Sequence, residues 1–290
     1  MVERGGDEAR AVAGVVHPLV RGAHVVGITG SPGAGKSTLT SALCSELRSH
    51  DERVAVLAID PSSPFTGGAI LGDRVRMGDH ALDDGVFIRS MATRGHLGGL
   101  SVATPEAARV LDAVGYDRVI VETVGVGQVE VEVAGAADST VVVVNPGWGD
   151  AVQAAKAGLM EIADLFVINK ADRPGAGEAR RDLEGMLAMA SSFPWQPPVI
   201  DTVALNGEGV EELAVQLERH RCWLEDGGVG AARRAERAER ELRAVVAARL
   251  AERAELLCAG PAWVAALEEV TSGGTDPWRA ADGLLRDGVR

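Results

Sequence analysis

Only three of the 29 basic residues in this 290-residue chain are lysines, and two of them stand where phosphate and purine chemistry would need them. Lys36 closes Gly30-Ser31-Pro32-Gly33-Ala34-Gly35-Lys36-Ser37, which fits the pattern G-x-x-x-x-G-K-[ST]. Glycines at these spacings let backbone N–H groups turn inward around phosphate oxygens, and a helix opening at Lys36 adds its dipole. In that pattern Lys36 reaches the β- and γ-phosphates, Ser37 holds Mg²⁺ through its hydroxyl, and Thr38 touches the α-phosphate. Lys170 lies in Asn169-Lys170-Ala171-Asp172, an N-K-x-D tetrapeptide. The Asp172 carboxylate would accept hydrogen bonds from guanine N1–H and the 2-amino group together. Adenine offers neither donor, and a buried acid left unpaired rejects it. Asn169 would fix the loop, and the Lys170 stem would lie along the base. Val203, Ala204 and Leu205 follow the next apolar run and would present backbone N–H groups, that of Ala204 to guanine O6. A compact ammonium is not interchangeable with a planar guanidinium, so lysine at 36 and 170 in an arginine-rich chain points to a GTP/GDP site.

Acidic residues complete the chemistry. Glu122 follows Val119-Ile120-Val121 and suits the Mg²⁺-side acid of a nucleotide hydrolase, with Gly125 offering its N–H to the γ-phosphate. Val126 stands where a water-orienting glutamine would be expected, and Gln128 is offset, so slow intrinsic hydrolysis accelerated by a partner is predicted. Asp60 and Asp73 bracket a loop punctuated by Pro and Gly, and are candidate Mg²⁺ or water-orienting groups. Turn capping is the plain alternative, above all for Asp73.

These groups need a scaffold that brings strand ends together. Val- and Ile-rich runs at Ala23-Thr29, Val54-Asp60, Val86-Ser90, Arg118-Thr123, Thr140-Asn145, Leu165-Asn169 and Val199-Val203 read as strands. Helical patterns at Lys36-Ser49, Pro105-Val114, Asp150-Ala163, Ala176-Ala190 and Gly209-Glu225 alternate with them. The expected class is α/β, a P-loop NTPase with a mostly parallel sheet flanked by helices, whose ligands sit at the C-terminal strand ends. Beyond Gly228 one long pattern, Ala231-Leu257, carries Leu242, Val245, Val246, Leu250 and Leu257 at helical spacing. The expected division is a short segment at 1–22, a GTPase domain at 23–225 and a helical extension at 226–290. That extension either folds back on the domain or serves as a dimer arm.

Composition narrows the partners. A net charge of −13 argues against nucleic acid or an anionic membrane as the main partner. No apolar run approaches the ~18 residues of a membrane span, the first ten residues do not read as a secretory signal, and a cytoplasmic protein is expected. Cys44, Cys222 and Cys258 are too few and too scattered for a disulfide framework or a zinc site.

Taken with their neighbours, the motifs resemble the MeaB/ArgK family of GTPases, chaperones of methylmalonyl-CoA mutase with a G3E/SIMIBI-like fold. The matching stretches are Gly27 to Thr38, Ala58 to Ser63, Gly72 to Met77, Arg94 to Gly99, Val121 to Gln128, Gly149 to Gly158 and Asn169 to Asp172. The resemblance covers roughly Gly27 to Gly209, and Glu122 to Gln128 is its most specific part. It implies a homodimeric GTPase with Mg²⁺ that gates adenosylcobalamin loading into a cobalamin-dependent acyl-CoA mutase. It also implies that Asp60, Asp73 and Glu122 are the Mg²⁺-side acids, and that switch or partner-facing residues include Arg76, Arg94, Gln128, Asp150 and Lys156. Two departures bear on partner docking: a short stretch before the first strand, and Trp148 where the family tends to have a small residue.

Three other functions share parts of this pattern. A nickel metallochaperone on the same fold would need thiol or imidazole ligands near the switches, and Glu122 to Val133 has neither Cys nor His. A small-molecule kinase has no need of N-K-x-D. A transport-associated ATPase should prefer adenine, against Asp172.

Overall fold

The computed structural model describes residues 2, 6–61, 78–80, 82–93, 103–123, 135–147, 160–189 and 194–287. Seven parallel strands form one sheet: β1 (His24–Gly30), β2 (Val54–Pro61), β3 (Val86–Thr93), β4 (Arg118–Thr123), β5 (Ser139–Val144), β6 (Leu165–Asn169) and β7 (Val199–Thr202). Their order is β3-β2-β4-β1-β5-β6-β7. The sheet reverses its direction of growth beside β1, which pairs with β4 on one side and β5 on the other. Such a switch point leaves a crevice at the C-terminal strand ends.

Alternation along the buried strands separates two faces. Val26, Ile28, Ile120, Val141 and Val143 point to the face covered by α2 (Lys36–Ser49), through Leu39, Leu43 and Leu47, and by α5 (Val210–Asp226), through Leu213 and Leu217. Val119 and Val121 pack on the other face with Leu111 of α3 (Ala103–Ala113). Val142, Val144, Phe166 and Ile168 meet Leu183 and Leu187 of α4 (Ala176–Met189) there.

The strand expectations hold to within a residue at their starts, and β3 runs three residues further than its pattern suggested. Two segments differ from the sequence reading. A helix, α1 (Gly6–Val16), occupies the short N-terminal segment with no residue fully buried, its half-buried positions being Ala9, Val12, Ala13 and Val16 at helical spacing. The expected helix at 150–163 is described only over its last turn, 160–162.

The chain divides into two units, Met1–Arg237 and Ala238–Arg290, with the division inside the 29-residue helix α6 (Val229–Leu257). In the first unit the root of α6 is tied down by Arg233 to Asp164 at 3.0 Å and by Arg237 to Asp138 at 2.6 Å. In the second unit Leu242, Val246 and Leu250 recur every four residues and are all exposed. There α7 (Pro261–Thr271) packs on α8 (Pro277–Asp287). Gly273, at φ +77°, ends the first helix, and Asp276 caps the second by accepting from the amides of Trp278 and Arg279. No described helix is long and apolar enough to cross a membrane.

Candidate nucleotide site

β1 runs into Gly30 at φ +134°, where a Cβ would collide with the carbonyl oxygen of Val143 on β5. Only glycine lets the chain leave the sheet between those strands. Gly35 repeats the requirement at φ +92°, with the Asn169 carboxamide where its side chain would be. The loop then closes into α2, and the Leu39 amide bonds to the Gly35 carbonyl at 2.9 Å.

Lys36 is buried, and its ammonium donates to the carbonyls of Gly30 at 2.7 Å and Ser31 at 3.1 Å. Ser37, one residue on, donates its hydroxyl to Glu122 Oε1 at 2.6 Å. Register explains the meeting, because Glu122 on β4 lies opposite Ile28 on β1, two residues before the loop begins. Both groups are buried. Beneath them burial, and then the Glu122 charge, push the Cys44 thiol up to about 12, so Cys44 is an inert apolar neighbour.

The base-reading tetrapeptide is joined to this loop by two side chains, Asn169 and Lys170. Asn169 Nδ2 donates to the Ala34 carbonyl at 2.8 Å, while its Oδ1 accepts from Thr202 Oγ1 at 3.2 Å and the Ala204 amide at 3.1 Å. Lys170, at φ +60°, carries its ammonium back to the Gly33 carbonyl at 2.7 Å. The Ala171 amide bonds to the Thr202 carbonyl at 3.0 Å, and Asp172 lies exposed on the same turn. Phosphate loop, N-K-x-D turn and β7 end are therefore one hydrogen-bonded assembly. Sequence reasoning identified Asn169 as a brace but missed Thr202 Oγ1 and the Gly33 carbonyl, since neither belongs to a side-chain pattern. The Ala204 amide is committed to Asn169, so reading guanine O6 with it would share that bond. Leu205 beside it is exposed, Val203 is half-buried, and Pro32 and Gly33 lie exposed at the loop tip.

Asp60 ends β2 next to Pro61, with its backbone opposite Ala92. Asp73, Arg76, Arg94, Gly125, Gln128, Asp150 and Lys156 lie outside the described residues, as does Trp148. The structure thus brings together the phosphate-loop residues, Glu122 and the base turn.

A hydroxyl and a carboxylate one hydrogen bond apart at the start of a glycine-framed helix, with a buried ammonium beside them, make a phosphate-binding arrangement. Comparison with known proteins agrees. The family model described as methylmalonyl-CoA mutase-associated GTPase MeaB matches residues 2–257. The chain belongs to the MeaB family of GTPases. A protein of Pyrococcus abyssi that is named only as a GTPase is 48% identical over 99% of this MeaB-family chain and 90% of its own length. The mouse methylmalonic aciduria type A homolog, a mitochondrial protein, is 42% identical over 65% of this chain and 46% of its own length. The crystal structure of an LAO/AO transport system kinase superposes with a TM-score of 0.69 at 28% identity, covering 96% of this chain and 85% of that one. The MeaB-family chain is therefore a P-loop GTPase, and its fold implies guanine-nucleotide binding.

Proposed function

We propose that this GTPase is a chaperone that gates adenosylcobalamin loading into a cobalamin-dependent acyl-CoA mutase of the methylmalonyl-CoA type and protects that mutase. The family description supports the partner, and the site geometry supports a nucleotide-driven role. The observation that carries the reading is the Asn169 brace, which spans from Ala34 to Ala204 and ties the base turn to the phosphate loop. A residue that links base recognition to phosphate geometry suits a machine that must distinguish GTP from GDP before acting on a partner.

Within the site, Asp172 selects guanine, Lys170 backs the base, and Asn169 holds the two loops in register. Gly30, Ser31, Pro32, Gly33, Ala34 and Gly35 wrap the phosphates, Thr38 meets the α-phosphate, and Lys36 neutralises charge at the β- and γ-positions. Ser37 Oγ and Glu122 Oε1, 2.6 Å apart, form a hard-oxygen pair of the kind Mg²⁺ prefers, so the residues present fit that ion. Ser37 and Glu122, with Asp60 and Asp73, would hold it. When bound, Mg²⁺ supplies charge neutralisation between the terminal phosphates.

Arg76, Arg94, Gln128, Asp150 and Lys156 are proposed to report the nucleotide to the mutase. The exposed stripe Leu242, Val246 and Leu250 supports a homodimer contact through the C-terminal helices. The test of the partner role is GTP turnover with and without an apo-mutase, followed alongside adenosylcobalamin transfer. Stimulated turnover and nucleotide-dependent transfer are expected. Turnover indifferent to the mutase, with ungated transfer, would reject the chaperone role while leaving the GTPase intact.

A further inference from the structure

Away from the nucleotide, the N-terminal ends of β1, β4, β5 and β6 bury a row of polar side chains that the GTPase chemistry does not use. Arg118, at the start of β4, is gripped by Glu52 and Glu218 at 2.6 Å each. Its remaining nitrogen, Nη1, lies 2.6 Å from Nδ1 of His24 on β1. A guanidinium cannot accept, so Nδ1 must be the bare nitrogen and the His24 proton sits on Nε2. That proton points at Ser139 Oγ on β5, 2.8 Å away. Ser139 must then spend its own proton elsewhere, and His220 Nδ1 on α5 lies 2.6 Å from it. The same logic puts the His220 proton on Nε2, which stands 3.3 Å from Asp164 Oδ1, imperfectly aligned. Asp164 also accepts the Thr140 amide at 2.9 Å and Arg233 at the root of α6 at 3.0 Å.

We infer that the base of the sheet is a proton-ordered clasp. Arg118, His24 and Ser139 donate in turn as far as His220 Nδ1, leaving the His220 Nε2–H beside Asp164, and the order holds only while both imidazoles are neutral, so acid undoes it and loosens the root of α6. Reversing the chain, or protonating His24, would aim an N–H of His24 at the Arg118 guanidinium, and protonating His220 on Nδ1 gives Ser139 two donors and no acceptor. The surroundings of His24 favour its neutral form. His24 faces Arg118 and, at longer range, Arg221, His220 and Asp138, and burial followed by the Arg118 charge holds its pKa down at about 3. His220 is fully buried against Trp195 and Trp223, with Asp164 Oδ1 3.3 Å from its Nε2. Burial pulls the Asp164 carboxyl up, but His220 and then Arg233 outweigh it and leave it below the usual carboxylate range. The clasp joins the N-terminal ends of four strands, α5 and the first turns of α6.

The experiment uses the full chain. Nitrogen-15 imidazole spectra at pH 7 should show His24 and His220 both with the proton on Nε2, and His24 should not titrate between pH 7 and 5. A proton on Nδ1 of either ring, or titration of His24 near 6.5, would overturn the clasp. Hydrogen exchange supplies the mechanical half. In Ser139→Ala the amides of residues 230–237 should lose protection about tenfold or more while those of β2 and β3 change little. Unchanged protection at 230–237 would equally overturn it. Should that variant not fold, the unmutated chain decides. Protection at 230–237 should fall on acidification before that of β2 and β3, and a uniform loss contradicts the inference.

Discussion

At and beyond the C-terminal ends of β1 and β6 the side chains of Lys36, Asn169 and Lys170 reach for backbone carbonyls of a glycine-rich loop, whereas at the N-terminal ends of β1, β4, β5 and β6 side chains reach for one another. Lys36 and Lys170 hold Gly30, Ser31 and Gly33, groups that belong to the loop which wraps phosphates. Arg118, His24, Ser139 and His220 instead form a chain whose donors and acceptors are matched to one another as far as His220 Nδ1, with Asp164 beside its far nitrogen. The first arrangement is built to exchange partners when a charged ligand arrives. The second is built to keep its partners, and its cations are arginines already paired with acids, whose cost of burial is met only while each pair stays intact. One sheet thus carries a responsive end and a fixed end. The fixed end also holds the root of α6, which continues into the second unit.

The comparison breaks most sharply at the base turn. Asp172→Asn should weaken GTP by ~10⁴-fold and admit xanthosine triphosphate, because the amide presents a donor where the carboxylate presented only acceptors. Titration with both nucleotides checks this, and unchanged GTP affinity would remove Asp172 from the site. Glu122→Gln should come next, cutting single-turnover GTP hydrolysis by about tenfold or more with GDP affinity kept, since the carboxylate serves the γ-phosphate side. Wild-type rates in that variant would break the Ser37–Glu122 assignment.

The fixed end predicts an acid limb of stability. The ordinary histidine value is 6.5 and His24 is held at about 3, so between those values the unfolded chain binds a proton that the folded chain refuses. Stability therefore rises with pH across that window and is lost on acidification from about 6.5 toward 3, at up to about 1.4 kcal/mol per pH unit. Denaturant midpoints from pH 7 to 4, compared between the chain and His24→Gln, would measure it. A variant with the same acid slope as the wild type would rule out His24 as the source. The smallest effect belongs to an exposed pair, Arg243 with Glu239 at 2.7 Å on α6. Glu239→Ala should cost no more than about 0.5 kcal/mol, because solvent screens both partners.

The responsive end was legible in the sequence because it is written in contiguous motifs. Gly30 to Ser37 and Asn169 to Asp172 each complete their pattern within eight residues, and valine-rich runs marked the strands that carry them. The fixed end was not legible. His24 and His220 are almost two hundred positions apart, and Ser139 between them looks like any strand-initiating serine, so nothing local announces that three strands and a helix bring them together. A faint sign was present, since polar residues head several of the apolar runs: His24, Arg118, Ser139 and Asp164. The helix α1 escaped for a different reason. Its apolar face, Ala9, Val12, Ala13 and Val16, is short, small and only half-buried, and Gly14, Val15 and Val16 lower its helical propensity.

The central claim is that the responsive end hydrolyses GTP as the signal to a mutase. Steady-state turnover by the full chain should therefore be measured with GTP and with ATP, each with and without an apo acyl-CoA mutase. The account predicts slow turnover of GTP, none detectable of ATP, and acceleration of GTP turnover alone when the mutase is added. Comparable turnover of ATP, or GTP turnover unmoved by the mutase, would contradict it.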